Sequence, residues 1–171
     1  MLRKIVLCIL ILSCVLWTAF IFSNSLADAE TSSAQSSSVT ETVNKVASSV
    51  GIKEEITEST VRNMAHFSEF ALLAALVSAT VAVAAWQKFS ARLTFSLLFM
   101  SASVPLCFLL ACVDELLQKL SEGRASQFTD VLLDTLGAVC GCALLLIGYI
   151  ALTLLLKHRK TKKQKYISTD E

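Results

Sequence analysis

Charge is scarce in this chain. Asp, Glu, Lys and Arg make up only 17% of its 171 residues, while apolar residues make up 54%. Soluble domains carry roughly 25% charged residues, so an ordinary water-facing surface is excluded. The net charge is +1, which leaves no basic excess for nucleic acid, and none is expected as a partner. Proline occurs once, at Pro105, so it can break a helix at only one place. Six cysteines (Cys8, Cys14, Cys107, Cys112, Cys140 and Cys142) lie in apolar runs, and none has a histidine at metal-ligand spacing. They read as small apolar residues inside helices. Neither a metal nor a cofactor is expected.

What the chain has instead is long apolar runs. A hydrocarbon core about 30 Å thick takes about 20 residues of helix to cross. Four stretches meet that length: 5–22, 67–86, 93–113 and 131–156. The expected fold is therefore all-α: one polytopic membrane domain over 1–171 with four transmembrane helices. Pro105 falls in the third stretch and predicts a kink there.

Charge asymmetry gives an orientation. With both termini in the cytoplasm, the inner segments hold 10 of the 15 basic residues, and the outer side holds 12 of the 14 acidic ones. This N-in, C-in arrangement follows the positive-inside rule. The tail from Lys157 to Lys165 carries six Lys/Arg and reads as a topology signal that also touches anionic lipid. Ser23–Thr60 becomes a long outer loop with ten serines and no proline. Its first part, through Ser38, reads as flexible. Val39, Val43, Val46 and Val50 have helical spacing, which predicts a short helix on the membrane surface. Leu12-Ser13-Cys14 resembles a lipoprotein cleavage site, but the apolar run continues past it to Phe22. An uncleaved span is expected.

Ionisable groups at membrane depth are costly and ask for a reason. Arg62, His66 and Glu69 share one helix face at the start of the second span. Asp114, Glu115 and Gln118 follow the third span, and Arg124, Asp130 and Asp134 lead into the fourth. Asp130, Asp134, Gly137, Gly141 and Gly148 form one stripe, in which Gly137-x-x-x-Gly141 is a helix-contact motif. Short links make these helices antiparallel neighbours, so the polar groups gather at one level near the outer interface. Glu69, Asp114, Glu115, Asp130 and Asp134 there face Arg62, Arg124 and His66, a residue type that titrates near neutrality. Such a cluster either pins helices through salt bridges or forms an outward-facing site for a headgroup or hydrophilic ligand.

The same residues carry a resemblance. Arg62-x-x-Ala65-His66-Phe67-x-Glu69-Phe70, Asp114-Glu115-x-x-Gln118, Gly123-Arg124 and Asp130-Val131-x-x-Asp134-x-x-Gly137-x-x-x-Gly141 follow in order. With Trp17 and Ile21-Phe22-x-x-Ser25 closing the first span, the chain resembles the VanZ-like family. Phe70 and Asp134 stand where that family often has Tyr and Asn, and Leu120–Arg124 replaces its apolar-Pro-Gly-Arg turn. The resemblance implies a bacterial cell-membrane protein with an accessory envelope role in susceptibility to teicoplanin-type glycopeptides. The partners it implies are the lipid bilayer and a glycopeptide antibiotic or a lipid-linked envelope precursor. An enzyme acting on such a precursor is the alternative, with His66 and Glu69 as acid and base. No nucleophile–base pair of known spacing supports it, and His66-x-x-Glu69 alone is too poor in ligands for zinc. A transporter is disfavoured, because the chain has no internal repeat and no charge midway along a span.

Overall fold

The computed structural model describes residues 1–52, 54–84, 101–123 and 127–167. They form five helices and, among the described residues, no strand: α1 (Leu2–Ser25), α2 (Ala29–Ser49), α3 (Glu58–Ala84), α4 (Ser103–Leu120) and α5 (Phe128–Ile167). Among the described residues, three helical segments are long and apolar enough to cross a membrane: α1, α3 and the Phe128–Leu155 part of α5. α4 has 18 residues and includes Asp114, Glu115 and Lys119. Residues 93–100 of the expected third span lie outside the described residues, as do Lys88 and Arg92.

Pro105 lies three residues after Ala102, a turn between the helical Ser101 and the start of α4 at Ser103, and the first part of the span in which a kink was expected lies outside the described residues. α4 also runs past Val113 to Leu120, which carries Asp114, Glu115 and Gln118 on helix rather than after it.

α3 is the centre of the bundle. It packs on every other helix, most extensively on α5. Phe70, Leu73, Ala74 and Ser78 are its buried stripe. Ile21 of α1, Cys107 and Ala111 of α4, and Val131 and Ala138 of α5 complete one apolar core. The outward faces stay apolar: Leu12 and Leu16 on α1, Leu109 and Leu116 on α4, and Leu144 and Ile147 on α5 are all exposed. A bundle apolar on both its inside and its outside suits lipid, not water.

Backbone geometry fixes the helix directions. A Cβ on Gly137 would overlap the carbonyl of Phe67, and one on Gly141 the carbonyl of Ala71. α3 and α5 therefore run parallel, with backbones close enough that only glycine fits. Gly148 meets open space, so the expected stripe of contacts ends at Gly141. α1 runs against α3. Arg3 donates to the carbonyls of Val83 and Ala84 at one end, and Trp17 Nε1 donates to the Glu69 carbonyl (3.0 Å) farther along. The Arg3 guanidinium thus gives the Val83 and Ala84 carbonyls a charged donor at the start of α1. Deeper in the bundle, the Ser78 and Ser103 hydroxyls share a hydrogen bond (2.7 Å), and both reach Cys142 Sγ, at 3.7 and 3.6 Å. This contact joins α3, α4 and α5.

The serine-rich segment after α1 is helical, where flexible chain was expected through Ser38. Asp28 caps α2 by accepting from the Thr31 N–H (2.7 Å). Thr40 and Thr42 return their hydroxyls to carbonyls four residues back. At the far end Asn44 grips the Ile56 backbone through both N–H and C=O (2.9 and 3.0 Å). Caps and tertiary ties outweigh a composition that, taken alone, favours disorder.

Candidate functional site

Four chain segments bring polar side chains to one end of the bundle: the end of α1, the first half of α3, the end of α4 and the start of α5. His66 is the hub. Its Nδ1 stands 4.0 Å from Glu69 Oε2, 4.0 Å from Asp114 Oδ2 and 4.0 Å from Asp134 Oδ1. Helical periodicity explains the placement. His66 and Glu69 are one turn apart on α3, and Asp134 precedes Gly137 by three residues, so the close α3–α5 contact carries it inward. Asp114 is 0% exposed and Asp134 1%. Three carboxylates with so little water around one imidazole constitute an expensive arrangement.

The three acids are satisfied to different degrees. Asp114 accepts from the Ser25 hydroxyl (2.5 Å) and from the Gln118 amide (2.9 Å). Glu69 accepts from the Asn24 amide (3.1 Å). Asp134 Oδ1 is buried with no hydrogen-bond partner. Asp114 therefore ties α1 to α4 and Glu69 ties α1 to α3, while Asp134 Oδ1 adds no tie.

The remaining residues singled out from sequence divide into two sets. Gln118 belongs to the cluster through Asp114. Glu115 turns away: its Oε1 accepts the backbone N–H of Gln127 at the entry to α5, and its Oε2 has no hydrogen-bond partner. Asp130 is half-buried and lines an outer recess with Arg62, Asn63 and Gln127, about 770 Å³ in volume. Arg62 forms no ion pair with any acid among the described residues. It stands between that recess and a narrower cleft of about 190 Å³, where Asn24, Ser32, Gln35, His66 and Glu69 also show. Arg124 lies outside the described residues. A network of two arginines each serving an acid was one expectation; for Arg62 the geometry is different.

Sequence reading did not single out Asn24 and Ser25 as members of the cluster. The signal was there: an apolar span that ends Ser23-Asn24-Ser25 places polar groups at the depth where three other helices carry acids. Ser121 closes the same corner by donating to the Ser25 carbonyl (3.0 Å). Gly123, with φ +75°, turns the α4–α5 link against Ala29, and the Ala29 N–H donates to the Glu122 carbonyl (3.2 Å). The two links are thereby stitched together above the cluster.

Among the described residues His66, Asp114 and Asp134 have ligand atoms that all lie within 4.8 Å of one another. Ser25 has its hydroxyl on Asp114 but is 0% exposed, so it is not a nucleophile that a substrate can reach. Compared with known families, residues 10–152 match the one described as VanZ/LLP1. No curated protein and no solved structure matches the chain.

Proposed function

Because this chain belongs to the VanZ/LLP1 family, we propose that it is a four-span protein of a bacterial cytoplasmic membrane, with both termini inside, whose accessory envelope role alters susceptibility to teicoplanin-type glycopeptides. The working part is the polar cluster, which binds a hydrophilic or anionic group of the drug or of a lipid-linked envelope precursor near the outer interface. The observation that carries this reading is the pairing of two features at one end of the bundle. One is a buried group of acids around His66. The other is Arg62, which has no acid partner among the described residues and forms part of the wall of both adjoining recesses.

Depth supports the placement. Arg3, with its charge at the inner end of α1, is separated from Ser25 at the cluster by 22 residues of one helix. At 1.5 Å per residue that is about 33 Å, close to the roughly 30 Å of a bilayer core. The apolar face of α1 fills the interval. Arg62 is suited to the ligand side because a guanidinium offers paired donors to carboxylate or phosphate.

The reading is tested by expressing His66→Ala in a glycopeptide-susceptible host and measuring teicoplanin susceptibility beside membrane abundance. Normal abundance with loss of the phenotype is expected. A well-expressed His66→Ala variant with wild-type behaviour would sink the binding reading and leave a structural one. The alternative, an enzyme acting on a lipid-linked precursor, uses the same cluster, and product formation from such a precursor would be its mark.

A further inference from the structure

We propose that the cluster binds one divalent transition-metal cation, of the Zn²⁺ or Mn²⁺ kind, between His66 Nδ1 and the carboxylates of Asp114 and Asp134, with Glu69 beside His66 at the edge of the site. The inference deepens the binding reading and takes from it only that the cluster is a site; it does not depend on any antibiotic. Its ground is the arrangement of three donors on three helices, His66, Asp114 and Asp134, whose ligand atoms all lie within 4.8 Å of one another. Each carboxylate has one oxygen 4.0 Å from the same imidazole nitrogen. That is too long for a hydrogen bond. It lies about 0.6 Å outside the edge of a ligand tetrahedron about zinc, roughly 3.4 Å for bonds of about 2.1 Å. A small inward movement of the side chains closes the shell.

Asp134 supplies the second, independent observation. It is 1% exposed, its Oδ1 has no hydrogen-bond partner, and that atom faces the imidazole nitrogen. A buried carboxylate oxygen aimed into a cluster of two other acids has to be neutralised, by a proton or by a cation held there. The donor chemistry narrows which cation. Carboxylates alone suit Mg²⁺ or Ca²⁺, whereas an added imidazole admits first-row metals, Zn²⁺ ahead of Mn²⁺. The outer shell is already built: Ser25 and Gln118 hold Asp114, and Asn24 holds Glu69. Such contacts orient ligands in metal sites. His66-x-x-Glu69 alone offers too few ligands because Asp114 and Asp134 arrive from α4 and α5.

The test uses the full chain in lipid nanodiscs, free of any purification tag and stripped with chelator. Titration with Co²⁺ is followed by its visible absorption and with Zn²⁺ by calorimetry. One equivalent per chain is expected. Asp134→Asn, which keeps shape and removes charge, should weaken binding at least tenfold, and His66→Gln should abolish the cobalt spectrum. Thermal melting of each variant shows that it is folded. Absence of a one-equivalent site in the wild-type chain overturns the proposal, and so does binding that is unchanged in folded Asp134→Asn and His66→Gln. Failure of this kind beside a lost teicoplanin phenotype in His66→Ala removes the metal and leaves the binding reading. Metal binding beside an unchanged phenotype does the reverse.

Discussion

The middle of the bundle and its polar end solve the same packing problem in opposite ways. In the middle, α3, α4 and α5 meet through small groups: Gly137 and Gly141 against backbone, and Ser78, Ser103 and Cys142 in one short hydrogen-bonded contact. Every polar atom there replaces water with a neighbour, at little cost. At the polar end the same helices bring together Glu69, Asp114, Asp134 and His66, with one carboxylate oxygen left without a hydrogen bond. Helices in lipid associate through close approach and modest polar contacts, and the middle supplies both. The polar end therefore carries more buried charge than helix association requires. Buried ionisable groups beyond what packing needs support the proposal that this end is a site.

Substitutions sharpen this contrast. The largest effect belongs to the middle. Gly141→Leu puts a branched side chain into the Ala71 backbone. It should cost at least about 3 kcal/mol, the upper part of the range for overpacked interiors. The check is folded yield and melting temperature in detergent, and unchanged melting would mean that α5 does not rest on α3 as described. Next comes Asp114→Ala at the polar end, which strands the Ser25 hydroxyl and the Gln118 amide. A loss of about 2 kcal/mol is expected, within the usual cost of orphaning buried polar groups, read from the same melts. The smallest effect returns to the middle. Ser78→Ala removes the hydroxyl that meets Ser103 and Cys142 and should cost about 0.6 kcal/mol for each bond lost, the average for such bonds in a membrane protein. A cost several times larger would mean that the middle is also held by polar contacts and would erase the contrast.

Much of this was legible in the sequence, for definite reasons. Apolar length marks out α1, α3 and most of α5, because a helix in lipid has few alternatives. Gly137 and Gly141 stand out because small residues one turn apart expose backbone. His66, Glu69, Asp114 and Asp134 stand out because charge in an apolar run is conspicuous. Other features were not legible. The helical state of α2 depends on the Asp28 cap and on the Asn44 grip of Ile56, and serine-rich composition points the other way. The start of α4 at Ser103 depends on where the chain turns before Pro105, which apolar length alone does not show. The separation of Glu115 and Asp130 from the His66 group is a matter of helix rotation, which sequence spacing fixes only within one helix. Arg62 reads on paper as a partner for acids, and only the packed bundle turns it toward the recesses.

Asp134 separates the account from its rival most directly, because it is the buried acid whose Oδ1 makes no hydrogen bond. Asp134→Asn keeps the shape and removes the charge. The measurement is the melting temperature of this variant in metal-free detergent, beside its teicoplanin phenotype at equal membrane abundance. Relief of carboxylate repulsion should raise the melting temperature by a few degrees, about 2–4 °C per kcal/mol for a chain of this size, while the phenotype is lost. Such an exchange of function for stability is the mark of a functional site. A lower melting temperature with an unchanged phenotype would contradict the account, since it would make Asp134 a structural pin.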